Sequence, residues 1–246
     1  MLPDWTSRTA LLVGEQGLAR LRAARVAVVG IGGVGSYAAE ALVRAGVGGL
    51  TLVDSDLIQA SNINRQLHAL QTTVGRPKVA VMAERLLQIN PELIVTPLQQ
   101  RLTPDNVYEL LDQPYTLVLD AIDSFAAKCA LVQGCVARWI PAISSMGAAG
   151  KLDPSRVQVA DISVSHGCRL ARKLRKELRR AGIARGVQVV FSDEPFAAEG
   201  IGPQPDPGDS RRPLGSISFL PAVFGLQMAA AAIRTILAAE KNTTSS

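Results

Sequence analysis

The chain has 246 residues and is 48% apolar, enough for one large domain or a domain with an appendage around a sizeable buried core. Aromatics are only 4%, so that core is expected to consist of Ala, Val, Leu and Ile, and the formal charge of +5 suits an anionic ligand or partner without requiring one. Cys129, Cys135 and Cys168 form no Cys-x-x-Cys pair, which argues against a cysteine-built structural zinc and against a disulfide framework, and so points to a reducing, cytoplasmic compartment.

In chain order, residues 1–24 read as helical, with no signal-peptide pattern. Residues 25–30 (RVAVVG) form a continuous apolar run, as a parallel strand covered on both faces requires. A glycine-rich turn and a helix over 36–45 follow, and Gly46, Gly48 and Gly49 are expected to break that helix before a strand at 50–53. Loop and short helix occupy 55–75, and a helix spans 79–89. A third strand is expected at 93–98, and Pro104 opens a helix running to 111. Then come a strand at 117–121, a helix at 126–138, and a fifth strand from 140. The second half is less regular: strands at 157–162 and 187–192 flank a strongly basic helix at 169–180. Residues 197–213 hold three glycines and four prolines and read as a mobile loop. An apolar helix at 217–239 closes the domain. Its Pro221, Gln227, Arg234 and many alanines fit a buried helix better than a membrane span, and no membrane contact is expected. The alternation predicts an α/β fold with a Rossmann-like, doubly wound sheet. It forms a single domain: a helical segment at 1–24, a nucleotide-binding half at 25–150, a substrate-facing half at 151–240 and a frayed tail at 241–246.

Gly30-Ile31-Gly32-Gly33-Val34-Gly35 is a G-x-G-x-x-G turn between a strand and a helix. Gly30, Gly32, Gly33 and Gly35 let the backbone approach a phosphate, and the helix N-terminus behind them offers free N–H groups and partial positive charge. Asp54 ends the next strand, where a carboxylate can accept from ribose hydroxyls. The turn alone fits NAD by frequency, or no ligand at all. Arg65 and Lys78, soon after, favour a triphosphate with a departing pyrophosphate, because Arg clamps two phosphate oxygens and Lys adds a point charge; either alone reads as a solvated surface charge. Asp120 and Asp123 follow the fourth strand. Asp123 is the candidate for holding Mg²⁺ on the phosphates, with a helix N-cap as its other role, whereas Asp120 reads as structural, capping a strand or turn.

Together, the segments VGIGGVGSYAAEALVRAGVGGLTLVDSD, SNINRQLHAL, VGRPKV and LDAIDS resemble the ubiquitin-activating-enzyme-like adenylyltransferases. The resemblance implies ATP, Mg²⁺ and adenylation of a carboxylate. It places Asp54 on the ribose, Asn62, Arg65 and Lys78 on the phosphates and Asp123 on the metal, with Asp56 and Gln66 also among the nucleotide-binding residues. It also implies that Arg8 reaches the partner's ATP site in a homodimer; the plain alternative is a surface arginine. Relatives that activate sulfur carriers usually bear two Cys-x-x-Cys pairs, absent here. The segments GAAGKLDPSRVQVADIS, LARKLRKELRRAGI and VVFSDE resemble instead the tRNA threonylcarbamoyladenosine dehydratase branch. There the threonyl carboxylate of a modified base beside the tRNA anticodon is adenylated, and the base's carbamoyl group closes a ring, expelling AMP. That resemblance makes tRNA the expected partner and the basic helix its surface, through Arg169, Arg172, Lys173, Arg175, Lys176, Arg179 and Arg180. A solvated helix face is the alternative. Some branch members carry a cysteine where this chain reads PLGSISFLPAVFG, so a covalent role there is not expected. Cys168 is the one cysteine in a candidate active-site loop, and His166 a candidate base or a surface residue. Rival functions are activation of a carrier protein and a non-catalytic nucleotide- and tRNA-binding protein.

Overall fold

A computed structural model describes residues 4–195 and 214–238. The loop expected at 197–213 and the tail at 241–246 lie outside the described residues. The described chain runs α1 (Ser7–Ala23), β1 (Arg25–Val29), α2 (Gly35–Arg44), β2 (Gly49–Val53), α3 (Lys78–Ile89), β3 (Ile94–Leu98), α4 (Val107–Leu111) and β4 (Leu117–Asp120). It continues through α5 (Phe125–Ala137), β5 (Ala142–Ser145), β6 (Val157–Asp161), α6 (Arg169–Arg180), β7 (Gln188–Ser192) and α7 (Phe219–Ala238).

The seven strands form one sheet in the order β3-β2-β1-β4-β5-β7-β6, parallel except for β6 on the edge. Strand order reverses between β1 and β4, which opens a crevice at their carboxyl ends. Because alternate residues of a strand face opposite sides, Val26, Val28, Leu50, Leu52, Leu117 and Leu119 pack with α2, α3 and α7. Ala27, Val29, Val53 and Val118 pack with α4 and α5 on the other side. Both faces are covered, which is why these strands read as unbroken apolar runs.

Three expectations need correction. The N-terminal helix is broken at Gly14, whose φ of 74° and ψ of 169° are non-helical. Pro104 does not open α4: residues 104–106 form a turn, in which Asn106 accepts from the Thr103 N–H (2.8 Å) and donates to the Arg101 carbonyl (3.0 Å). Such local side-chain bonds outcompete helical ones. Gly49 does not break structure but begins β2.

The helix α7 has the length and apolar composition of a membrane span. In the fold, Leu220, Phe224, Met228 and Ile236 are buried in the main core. Gly225 lets α7 approach α2 closely, since a Cβ there would lie 2.3 Å from the Val34 carbonyl oxygen.

Candidate active site

The glycine turn lies at the crevice, and its four glycines do different work. A Cβ on Gly35 would sit 1.8 Å from the Gly30 carbonyl oxygen, and one on Gly30, where φ is +90°, would sit 2.7 Å from Ala121 O. Gly33 packs on Pro221 of α7 and on Arg65. At Gly32 the nearest atom to an added Cβ is Gln66 Nε2, 3.9 Å away, so the space above it is open.

Asp54 pins this turn. Its two carboxylate oxygens accept from the Ile31 N–H (2.7 Å) and the Asp56 N–H (2.9 Å). Burial raises its pKa, against the pull of Lys78 and the two backbone donors. The ammonium of Lys78 is 7% exposed and donates to Asp56 Oδ2 at 2.7 Å. Arg65 donates to the Ser61 carbonyl and to Asn64 Oδ1, both at 2.8 Å. Asn62 is used locally, its Oδ1 accepting from the Gln59 N–H at 3.1 Å. Asn64 donates to the Ser216 carbonyl (3.1 Å), which ties the approach to α7 to this wall of the crevice.

On the facing side, the backbone of Ala121 and Ile122 lies against Gly30. Asp123, exposed one residue further on, has no hydrogen bond or ion pair among the described residues. Asp120 is structural: it is fully buried and paired with Lys128 Nζ at 2.8 Å. The structure therefore gathers the glycine turn, Asp54, Asp56, Arg65, Gln66, Lys78 and Asp123 at one rim.

Arg8 is exposed and elsewhere. Thr6, two residues before it, lies against Gly46, just before β2 at the amino ends of the strands, a strand length, about 16 Å, from the turn.

Beside Gln66, already expected at the nucleotide, stands one neighbour that went unassigned in the sequence, His68. Gln66 Oε1 and both ring nitrogens of His68 are buried without a partner among the described residues. Burial, reinforced by Lys78 and Arg85, pushes the His68 pKa down to about 4. Only its place after Arg65 hinted at His68, because an isolated histidine carries no period.

The helix α6 matches its expected bounds. Ala171, Leu174 and Leu178 face a core cluster with Phe191 and Cys168. Cys168 is packed there as an apolar side chain, and burial raises Cys129 to about 11 and Cys135 to about 12. The opposite face carries a recess of about 500 Å³ lined by Arg172, Arg175, Lys176, Arg179 and Arg180. Arg175 differs from the rest: its Nη1 donates to Ser165 O (2.6 Å), Ser165 Oγ (2.7 Å) and Ile162 O (3.2 Å), which makes it an anchor. Arg180 pairs with Glu177 at 2.7 Å. Gly167 packs against Asp193, just past the end of β7, so α6 starts at the rim that holds the crevice. His166, alongside, lies 3.4 Å from Asp193.

The ThiF family model matches residues 6–246. The chain is 44% identical over 238 residues, 94% of each chain, to a tRNA threonylcarbamoyladenosine dehydratase of Bacillus subtilis. It is 39% identical over 254 residues, 95% of each, to the protein of that name from Escherichia coli. A crystal structure of E. coli tRNA N6-threonylcarbamoyladenosine dehydratase in complex with ATP superposes with a TM-score of 0.87 at 39% identity, covering 97% of this chain and 98% of that one. With the family model matching nearly the whole chain and relatives of 39–44% identity covering 94–95% of it, this chain belongs to the ThiF family.

Proposed function

We propose that the chain is an ATP-dependent tRNA threonylcarbamoyladenosine dehydratase. One observation carries it: likeness to proteins of that name spans both halves of the chain, including the basic helix, and not the nucleotide-binding half alone. Carrier-activating adenylyltransferases match over about half, as with the molybdopterin-synthase adenylyltransferase of Salmonella typhimurium at 56% of this chain.

ATP would lie along the crevice with its ribose at Asp54 and its phosphates above Gly32, facing the N-terminus of α2. Arg65 and Lys78 would neutralise the phosphates as the threonyl carboxylate oxygen attacks the α-phosphorus and pyrophosphate departs. The substrate's carbamoyl group then attacks the activated carbonyl, a ring closes and AMP leaves, with net loss of one water. The nucleophile belongs to the substrate, so placement and charge suffice and no enzyme nucleophile is needed.

Asp123 fits a magnesium ligand: it is an exposed carboxylate, unpaired among the described residues, beside the turn. No group of three or more His, Cys, Asp or Glu side chains forms a metal cage among the described residues. Mg²⁺ typically takes one or two carboxylates together with substrate phosphates. When bound, it would spread the charge of the departing pyrophosphate.

Arg172, Lys173, Lys176 and Arg179 would bear the tRNA backbone on a stripe descending from the crevice rim, with Arg169 at its head and Arg180 at its foot. The enzyme would act as a cytoplasmic homodimer away from membranes. Supporting this, Arg8 stands at the start of α1, next to the segment that packs at the amino ends of the strands rather than at the turn, and Leu11 and Leu12 beside it are 82% and 87% exposed.

ATP–pyrophosphate exchange tests the proposal. Exchange should require tRNA bearing threonylcarbamoyladenosine, and mass spectrometry should find its dehydrated product. Stimulation by a carrier protein with a Gly-Gly end instead would overturn it.

A further inference from the structure

A closed polar network lies just behind the crevice. Lys128, in the first turn of α5, is fully buried, as are Asp120 and Ser144. The Lys128 ammonium has three acceptors for its three protons: Asp120 Oδ2 at 2.8 Å, the Ser145 carbonyl at 2.9 Å and Ser144 Oγ at 3.3 Å. The Ser144 hydroxyl donates to Asp120 Oδ2 at 2.5 Å, and Asp120 Oδ1 accepts from the Ile122 N–H at 3.2 Å. The network joins the last residue of β4, the end of β5 and the start of α5. Those three segments enclose residues 121–124.

It is poorly suited to stabilising the fold. Desolvating two charges offsets most of their attraction, and apolar side chains of similar volume often replace a buried pair without loss. A saturated, directional network does fix one geometry. What it fixes here is consequential: the Ala121 N–H donates to Val29 O at 2.8 Å, and the Ala121 carbonyl oxygen lies only 2.7 Å from where a Cβ on Gly30 would be. Asp123 follows two residues on and has no bond of its own to place it among the described residues.

We propose that Lys128, acting through Asp120 and Ser144, is a positioning residue that sets the height of residues 121–123 against the glycine turn, and so where the Asp123 carboxylate meets the metal-bearing phosphates of the nucleotide. This rests on Asp123 as the magnesium-holding carboxylate.

The test compares wild type with Asp120→Asn/Lys128→Met, which removes both buried charges together and leaves no unpaired ion. Each is titrated calorimetrically with ATP in magnesium and in EDTA. Wild type should gain about tenfold in affinity from magnesium. The double variant should keep metal-free affinity within about twofold and lose most of the magnesium-dependent gain. A retained gain overturns the proposal. So does an equal loss in both buffers, which marks general distortion. Absence of any gain in wild type removes Asp123 from the metal, and the proposal falls with it, by a result distinct from the other two. If the double variant does not fold, Ser144→Ala decides by the same titrations: a reduced gain supports positioning, and an unchanged one overturns it.

Discussion

Alanine at two glycines of one turn should have opposite consequences. At Gly35 the new methyl carbon would lie 1.8 Å from a backbone carbonyl oxygen, and neither group can rotate away. Relief requires a backbone shift of more than about 1 Å, and overpacking of this severity costs about 3 kcal/mol. In a chain of this size that lowers the melting temperature by about 6–12 °C. At Gly32 an alanine meets no protein atom closer than 3.9 Å, and its φ is not in the left-handed region. Its melting temperature without ligand should stay within about 3 °C of wild type. The methyl would stand where phosphate must approach the backbone, which should weaken ATP at least about tenfold. At ATP a hundred times the wild-type Kd, binding stabilises wild type by about 2.7 kcal/mol and Gly32→Ala by only about 1.4 kcal/mol. Differential scanning calorimetry with and without ATP reads both effects. A Gly32→Ala protein with the full ATP shift, or a Gly35→Ala protein melting with wild type, would refute the division of labour within the turn.

Asp123→Ala should abolish pyrophosphate exchange while leaving the unliganded melting temperature unchanged, because the side chain has no partner to lose among the described residues; wild-type turnover would remove it from the site. Arg175→Ala should destabilise by about 2–3 kcal/mol through three lost hydrogen bonds. In contrast, Arg172→Glu/Arg179→Glu should leave the melting temperature unchanged, weaken tRNA binding and flatten its salt dependence; equal tRNA affinity would dissociate the helix from RNA. Burial holds the His68 pKa at about 4 in the folded chain, below its ordinary value of 6.5. The unfolded chain therefore binds the extra proton between those values, and stability drops as pH falls from 6.5 toward 4, by about 3 kcal/mol in all. His68→Phe should lose less stability than wild type over that window in urea titrations at pH 7 and pH 4.5. Parallel losses would show that His68 is solvated.

The nucleotide half was legible because each of its signals is local: an apolar run, a glycine turn and an acidic strand end occupy one short stretch of chain. The helix α6 was legible because Ala171, Leu174 and Leu178 repeat with helical period against charge. What stayed hidden depends on contacts far apart in sequence. Lys128 reads as an ordinary helix cation until β5 brings Ser144 and Ser145 beneath it. Arg175 reads like its six cationic neighbours on α6 until Ser165 takes its guanidinium. The antiparallel edge strand β6, with β7 inserted beside β5, follows a pairing choice that no short window of residues encodes.

The parallel packing of α7 beside α2 has a consequence for how the molecule is made. Pro221 buttresses Gly33, and Gly225 meets Val34, so the glycine turn leans on residues translated after the whole sheet. A nascent chain that has emerged only as far as β7 carries Asp54, Arg65, Lys78 and Asp123, yet lacks the wall behind the glycine turn. Nucleotide capture should thereby be deferred until synthesis has passed α7, and truncation inside that helix should silence a site almost two hundred residues upstream.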